Sequence, residues 1–359
     1  MSYSIPVCTT FTELAGIQYP FLNAPIPGVA TPALVAAVSE SGGLGVIPGG
    51  SLFPDELVSF ANEVKKLTDK PFAINLTIPW RFPTPEHAFD TFADAVTPLL
   101  TDLGLPDGSD SPMSESYDFS MKNRPSFQEQ LAAALSVKPR AMISSSGGFA
   151  EEEADQLTDA GILNVGVVTS FREAKVMRAA GCDALIVQGV EASGPRLSFE
   201  NPDTVQLGLM SLLPAAARAT GLPVLAAGGI ATAEQVDAVF ALGGAGVVVG
   251  TALMPTQESG ADETHRYYAL YGKPEETVMS RVFTGRLSRV ICNGLVEALA
   301  DYEDKTAGYP GQWQIMKEID RIARQQGRTD LMMISVGQSA GRSHYKTVAE
   351  TIGSMFRVK

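Results

Sequence analysis

Short apolar runs, separated by amphipathic helical patterns, fill the first two thirds of the chain. Eight runs are continuous enough in apolar residues to predict strands buried on both faces, and most of them end at glycine, proline or a polar residue. They lie at residues 21–26, 44–47, 72–78, 141–146, 162–168, 184–188, 224–227 and 246–251. A phrase recurs where helices return to strands: ESGGLGVI, DAGILNVGVV, AAGCDALIVQG and ALGGAGVVVG. This weak repeat predicts a (β/α)8 TIM barrel. A doubly wound open sheet is the alternative, because a sequence does not show closure.

Helix signals lie between these strands. Thr31 is placed to cap a helix with Pro32 at its first position, and Ser170 with Glu173 has capping-box spacing. Residues 86–103 and 126–137 also read as helices, whereas about 103–125 is rich in Asp, Ser, Gly and Pro and predicts an exposed insertion between the third and fourth strands.

The chain after the eighth strand has a different pattern. Helical periodicity appears at 264–271, 295–300 and 314–325, without strands of the earlier kind. We therefore expect three parts: a barrel over 1–254 with the insertion, a smaller and mainly helical domain over 255–335, and a C-terminal segment over 336–359 that returns to the barrel mouth.

Composition narrows the function classes. The 359 residues are 45% hydrophobic, which is ample for a large core, and the formal charge is -13. An acidic surface argues against nucleic-acid and anionic-membrane partners. Three distant cysteines, Cys8, Cys182 and Cys292, indicate neither a disulfide framework nor a clustered metal site. With no signal peptide or apolar span recognised, we expect a cytoplasmic protein without a metal.

Two consecutive strands end in exposed glycine backbone. Gly228-Gly229 follows the seventh strand, and Gly250-Thr251 closes the eighth and predicts a helix N-terminus. Free N–H groups at both ends suit a phosphate, which barrel enzymes commonly hold after strands 7 and 8. Packing and turn glycines are the alternative, and a phosphorylated substrate would occupy the same place as a cofactor.

Polar residues at other strand ends are the candidates for chemistry. The amides of Asn75 and Gln188 donate and accept hydrogen bonds, as a planar heterocycle requires, or else they satisfy backbone groups at the barrel end. The loop from Gln188 to Arg196, QGVEASGPR, carries the small residues Ser193 and Gly194, which allow a ring system to lie close.

Several motifs resemble one family in order along nearly the whole chain. They are NAPI at Asn23, SGGLGVIPGG at Ser41, INLTI at Ile74, CDALIVQGVEASG at Cys182, PVLAAGGI at Pro223, GGAGVVVGTAL at Gly243, FTGRLSRVICNG at Phe283 and GQSAG at Gly337. The chain is thereby similar to the nitronate monooxygenases, formerly called 2-nitropropane dioxygenases. The resemblance implies FMN, a barrel with a smaller helical domain, and a fold similar to flavin enoyl-acyl-carrier reductases and some NAD(P)H:quinone reductases.

The resemblance also implies where the cofactor lies. Its phosphate would be held at Gly228, Gly229, Gly250 and Thr251. Its ring would lie beside Ala24, Pro25, Ile26, Asn75, Gln188 and Gln338, with Ser193 and Gly194 in the adjoining loop.

One departure from the family bears on catalysis. The family usually reads EAGGH where this chain has Glu191-Ala-Ser-Gly-Pro195, and often places a second histidine near Ser145 or Ser146. The histidine that ends EAGGH, at the position of Pro195, is the expected base that removes the proton next to the nitro group, and a base contributes roughly 10²- to 10⁴-fold to the rate. None of His87, His265 and His344 sits at a predicted strand end. Substrates that arrive already ionised, such as alkyl nitronates, avoid the requirement.

Several other polar residues near the predicted strand ends are candidates for a functional or a structural role. Arg196 either neutralises an anionic substrate or reduced flavin, or is a solvated loop arginine. Ser145 and Ser146 either bind substrate or cap a strand end. Arg286 and Arg289 in FTGRLSR are interpreted as interdomain ion-pair residues.

Three functions are weighed on this basis. The first is an FMN oxidoreductase of the nitronate monooxygenase type, reduced by a small-molecule substrate and reoxidised by oxygen. The second is an NAD(P)H-dependent reductase of quinones or enoyl thioesters. The third is a flavin barrel of non-redox chemistry or a binding module. A homodimer is left open as the assembly.

Overall fold

Eight parallel strands form the core of the protein. The computed structural model describes residues 8–79, 126–200, 206–309, 311–344 and 346–358. The barrel strands are β1 Phe21–Asn23, β2 Gly45–Ile47, β3 Phe72–Thr77, β4 Ala141–Ser145, β5 Leu163–Val168, β6 Ala184–Gln188, β8 Val224–Ala227 and β9 Gly246–Val249. A two-residue strand, β7 Gly194–Pro195, belongs to a second sheet. All eight predicted strands are confirmed, within three residues at each end.

The eight strands close into a barrel. Their order is β1-β9-β8-β6-β5-β4-β3-β2, and a parallel bridge between Leu22 and Leu44 joins the two ends. The Asn23 side chain completes this seam. Its Oδ1 accepts from the Val46 N–H at 2.7 Å, and its Nδ2 donates to the Val46 carbonyl at 2.9 Å. The amide thus takes the place of a strand backbone, and the open-sheet alternative is wrong.

Helices cover the outside of the barrel. They are α2 Pro32–Glu40, α3 Pro54–Leu67, α4 Phe127–Ser136, α5 Glu151–Asp159, α6 Phe171–Ala179, α7 Leu209–Thr220 and α8 Ala233–Ala241. The first helix, α1 Thr10–Ala15, instead contributes Phe11 and Ala15 to the cluster that fills the barrel interior. Several begin as their sequences predict: the Thr31 side chain accepts from Leu34 N–H, and Thr232 with Gln235 forms a capping box. The predicted helix at 86–103, the whole of the predicted insertion at 103–125, and His87 lie outside the described residues.

The barrel interior is filled with side chains. Residues two apart on the strands point inward, and one buried cluster includes Leu22, Val46, Ile143, Val165, Ile186, Leu225 and Val248. Two further clusters fill the space between strands and helices. Because the interior leaves no channel, a ligand must bind at an end of the barrel, and in this fold the carboxyl ends of the strands form that site.

The region after β9 has its own core and is not only helical. It contains helices α9 Glu263–Tyr271, α10 Gly294–Ala298 and α11 Gly311–Gln326, which the sequence predicts. It also contains strands β10 Thr277–Ser280 and β11 Ser288–Ile291, which it does not. β11 pairs antiparallel with β10 and with β7, so the small sheet attaches this region to the loop after β6.

The last helix, α12 Val348–Phe356, lies against the barrel. It packs on α2 and α8, and the Phe356 ring meets the Phe21 ring at a centroid distance of 6.3 Å. This is the place of the eighth helix of the barrel, so the region before it lies between strand eight and that helix. The domain boundaries at 254 and 335 stay predictions.

Candidate active site

The predicted phosphate residues lie at the ends of neighbouring strands. β8 and β9 are paired in parallel, so Gly228 and Gly250 follow adjacent strand ends. Among the described residues, no carbonyl accepts a hydrogen bond from the N–H groups of Gly228, Gly229 or Thr251. The predicted helix after Gly250 is only a three-residue 3₁₀ turn, Thr251–Leu253. The site therefore offers free donors with little helix dipole.

The missing side chains of the glycines make room for a loop. A Cβ on Gly228 would lie 2.8 Å from the Ala192 backbone nitrogen, and one on Gly229 would lie 3.1 Å from the Glu191 Cβ. A Cβ on Gly250 would meet Ile26 Cδ1 at 3.1 Å. The packing interpretation therefore applies here, since the glycines admit the loop, and the phosphate site at their N–H groups stays a prediction.

The segment GQSAG returns to the same corner. Gly337 N–H donates to Thr251 Oγ1 at 2.9 Å, and Gln338 N–H donates to the Glu191 carbonyl at 2.9 Å. A Cβ on Gly337 would lie 3.2 Å from the Ser193 nitrogen. The half-buried side-chain amide of Gln338 makes no hydrogen bond to any described residue, so it can serve a ligand.

The residues predicted beside the ring divide into two kinds. Ala24, Pro25 and Ile26 are half-buried directly after β1, and the Ala24 N–H is bonded to the Val249 carbonyl at 2.8 Å. Asn75 donates from Nδ2 to the Ile143 carbonyl at 3.0 Å, and its Oδ1 accepts nothing from the described residues. Asn75 thus keeps one acceptor for a ligand.

Gln188 behaves differently. Its Nε2 donates to the Pro195 carbonyl at 3.0 Å, and its Oε1 accepts from the Leu197 N–H at 2.9 Å. Both ends of the amide are engaged by the loop, which favours the interpretation that Gln188 satisfies backbone groups. Gly194 lies inside that loop in a left-handed conformation, with φ of 71°.

The serines after β4 have separate roles. Ser145 Oγ reaches the Leu76 carbonyl at 3.3 Å and therefore caps a strand end. Ser146 Oγ instead accepts from Arg286 Nη1 at 2.9 Å. Ser146 has φ of 62°, a left-handed conformation that is strained for a residue other than glycine.

Arg196 is buried, so the prediction of a solvated loop arginine is wrong. It is 2% exposed, and its Nη1 donates to the Gln188 and Gly189 carbonyls at 2.8 and 2.7 Å. Within the described part of the chain, its Nε and Nη2 have no hydrogen-bond partner and no carboxylate forms an ion pair with it. Burial lowers the pKa of Arg196 to about 10, against the opposing charges of Glu173 and Glu191. The group stays a cation at neutral pH.

A buried carboxylate fixes the same loop from outside the barrel. Glu173 Oε2 accepts from the N–H and hydroxyl of Thr169 at 2.6 and 2.8 Å, and Oε1 accepts from the Phe199 N–H at 2.7 Å. Sequence spacing indicated only a capping residue for Ser170. The position of Glu173 in the helical pattern could have indicated its burial, because it lies on the same buried face of α6 as Ala174 and Met177.

Arg286 and Arg289 connect the small region to the barrel mouth. Arg286 Nη2 donates to the Ser198 carbonyl at 2.8 Å, while Nη1 holds Ser146. Arg289 donates to the Val190 carbonyl and to Thr277 Oγ1, both at 2.8 Å. Burial lowers the pKa of Arg289, and the charge of Glu191 opposes that shift. Arg289 therefore connects β11 to the loop after β6 through oxygen acceptors, and among the described residues it does not form the predicted ion pair.

The described histidines are not at the strand ends. His265 lies in α9, where its Nδ1 is 2.9 Å from Asp262 and its Nε2 accepts from Ser335 N–H, and His344 is exposed. Within the described residues, no three His, Cys, Asp or Glu side chains are arranged to hold a metal ion. None of the helices described is both long and apolar enough to span a membrane.

The donors and acceptors at the mouth fit a flavin mononucleotide. Free N–H groups of Gly228, Gly229 and Thr251 suit its phosphate, while Asn75 Oδ1 and the Gln338 amide suit a polar ring edge. Ala24 to Ile26 offer small or apolar surface beside them. The structure brings these residues to one end of the barrel.

Comparison with known proteins finds similarity to nitronate monooxygenases both in a family profile and in individual sequences. A profile of the nitronate monooxygenase family matches residues 9–357. Proteins named probable nitronate monooxygenase from Staphylococcus aureus, strains Newman and USA300 among them, are 31% identical over 330 residues, covering 91% of this chain and 90% of theirs.

Solved structures agree in fold. Nitroalkane oxidase from Streptomyces ansochromogenes superposes with a TM-score of 0.83 at 28% identity, covering 96% of each chain. FabK from Thermotoga maritima superposes with a TM-score of 0.75 at 24% identity, covering 98% of this chain and 96% of that one. At that identity the second similarity concerns the fold alone.

Proposed function

Because the chain belongs to the nitronate monooxygenase family, we propose that it is an FMN-dependent oxidoreductase that oxidises an alkyl nitronate and delivers the electrons to oxygen. One observation supports this most: among the described residues, two adjacent strand ends expose N–H groups that no carbonyl accepts, and Asn75 Oδ1 and the Gln338 amide at the same end of the barrel also lack a partner. Bound FMN would supply the redox chemistry itself.

The residues of the chain would bind, orient and shield. The N–H groups of Gly228, Gly229 and Thr251 would hold the phosphate, and the Asn75 carbonyl oxygen would accept from the ring edge. The segment Gly337–Gln338 covers this corner through its bonds to Thr251 and Glu191, and so limits entry of water.

The lack of a histidine at the described strand ends constrains the substrate. A neutral nitroalkane must lose a proton next to the nitro group, and a positioned base supplies roughly 10²- to 10⁴-fold of that step. A nitronate has already lost that proton. The buried cations Arg196 and Arg286 favour an anion at this end of the barrel. We therefore expect nitronates to be oxidised far faster than the corresponding nitroalkanes.

The cofactor proposal is tested with one glycine pair. In Gly228→Ala, the new Cβ meets Ala192 and the residue keeps φ of 127°, so we expect FMN affinity to fall at least tenfold in a fluorescence titration of the apoprotein. Gly161→Ala is the control, because Gly161 also has positive φ but nothing within 4 Å of its Cβ position. Equal FMN affinity in both variants, or no flavin binding by the parent protein, contradicts the proposal.

The reaction is tested by anaerobic mixing of the flavin-loaded protein. Bleaching by ethyl nitronate, followed by recovery with oxygen, is the expected result. Bleaching by NADH or NADPH and not by the nitronate would instead assign the reductase alternative. Turnover of a substrate without any bleaching or oxygen uptake would assign non-redox chemistry.

A further inference from the structure

Three hydrogen-bond donors that find no acceptor among the described residues lie close together in the chain after β6. They are Arg196 Nε, Arg196 Nη2 and Ser198 Oγ, all enclosed by protein. A buried donor left without an acceptor is costly, and native proteins keep few of them. Three such donors within three residues indicate that an acceptor is missing at this place.

Ser146, which follows β4, adds a fourth donor, and only β5 separates β4 from β6 in the barrel. Its Oγ accepts from Arg286 Nη1, which leaves its own hydrogen free to donate, and no described residue accepts it. Arg286 also holds the Ser198 carbonyl at 2.8 Å, so one guanidinium bridges the end of β4 and the loop after β6. Ser146, Ser198 and Arg286 are each 5% exposed and Arg196 is 2% exposed, so the whole cluster is buried.

Buried arginines outnumber carboxylates near these donors. Arg196, Arg286 and Arg289 are all buried, and the two carboxylates whose charges reach Arg196 are Glu173 and Glu191. Glu173 is already saturated by Thr169 and by the N–H groups of Phe199 and Glu200. An anion entering here would gain both charge and hydrogen bonds.

We propose that Ser146, Ser198 and Arg196 form the binding site for the planar oxyanion of the substrate, a nitronate or a carboxylate, and that Arg286 positions Ser146 within it. The inference rests on the proposed function and names the residues that recognise the substrate. The two oxygens on one trigonal atom of such an anion accept hydrogen bonds from donors of these kinds, hydroxyl and guanidinium. The strained Ser146 backbone fits this role, because left-handed residues other than glycine are concentrated at functional sites.

Binding of nitrate, a planar monoanion that resembles the nitronate group, tests the site without turnover. We would titrate the full-length protein as purified by calorimetry and follow its melting temperature, with acetate as the carboxylate arm and chloride as the ionic-strength control. Nitrate or acetate should bind and chloride should not. Ser146→Ala should weaken binding about three- to tenfold, and Arg286→Met more than tenfold.

Two further variants separate recognition from folding. Ser146→Gly relieves the left-handed backbone, so it should melt above Ser146→Ala yet bind nitrate equally weakly. Lys70→Gln changes a basic cleft at the opposite end of the barrel, lined also by Lys65, Lys138 and Arg140, and should leave nitrate affinity unchanged.

Parent-like nitrate affinity in both Ser146 variants would overturn the proposal, as would equal loss in Lys70→Gln or no binding of either anion. Calorimetry needs no flavin. Failure of FMN to bind, with nitrate binding intact at Ser146, would therefore refute the proposed function and leave this site standing.

Discussion

The Asn23 amide that closes the barrel leads to a sharp prediction. In Asn23→Ala, the N–H and carbonyl of buried Val46 both lose their side-chain partner. A buried group left unsatisfied costs about 1–3 kcal/mol, so the two together should lower the free energy of unfolding by about 2–6 kcal/mol. Because the free energy of unfolding of natural proteins is only about 5–15 kcal/mol in total, this is a severe loss of stability.

The assay is urea unfolding of parent and variant, combined with hydrogen exchange by mass spectrometry. The peptide spanning β2 should lose protection selectively, because the seam is otherwise joined by the Leu44 N–H to the Phe21 carbonyl and the Leu22–Leu44 bridge. Asn293→Ala is the matched control. Its amide also bonds to backbone, capping α10 and reaching the Met332 carbonyl, but outside the barrel. We expect Asn293→Ala to lower the free energy of unfolding by about 1 kcal/mol, which is typical of a lost helix cap.

Two results would refute the reasoning that the Asn23 side chain takes the place of strand pairing at the seam. One is a decrease of less than about 1 kcal/mol in the free energy of unfolding of Asn23→Ala, and the other is a loss of hydrogen-exchange protection that is spread evenly over the barrel. Since Asn23 precedes Ala24, Pro25 and Ile26, a loosened seam should also weaken FMN binding. Parent-like FMN affinity in a variant with the predicted stability loss would separate the seam from the cofactor site.

Three other consequences can be measured. Glu173→Gln places an NH2 group against backbone donors and should lower the free energy of unfolding by about 3 kcal/mol. The control, Glu350→Gln in an exposed capping box, should change it by less than about 1 kcal/mol. Similar values in the two variants would contradict the conclusion that Glu173 fixes the loop after β6. For Asp262, burial raises the pKa, but hydrogen bonds and charge from His265, with the charge of Arg324, outweigh it and hold the pKa well below its ordinary value. The stability it contributes is present above the unfolded pKa and lost as pH falls, so the gap between parent and Asp262→Asn melting temperatures should narrow below about pH 4, and a constant gap would refute this. Burial, with the Asp183 charge, raises the pKa of Cys182 to about 12, so a thiol reagent at pH 8 should label exposed Cys8 in the native protein and Cys182 only after unfolding, as peptide mapping would show.

Local patterns in the sequence determined the elements of the barrel. Strands buried on both faces read as continuous apolar runs, and caps such as Thr31 and the Thr232–Gln235 pair depend on residues only a few positions apart. The glycines after β8 and β9 were found in the same way, since the need for bare backbone is a local property. The sequence also indicated the family, because its motifs keep their order along the chain.

The tertiary structure alone decided closure, burial and partners. Asn23 meets Val46 because the first and second strands are brought side by side, and no spacing rule contains that contact. The same holds for Arg286, which reaches Ser146 across 140 residues of chain, and for Arg196, whose loop carries no apolar signal of burial. For Gln188, the sequence allowed either a ligand or the backbone as the partner of the side-chain amide. The structure shows that the amide donates to the Pro195 carbonyl and accepts from the Leu197 N–H. Side-chain hydrogen bonds between distant segments depend on three-dimensional proximity, and that information is absent from periodicity.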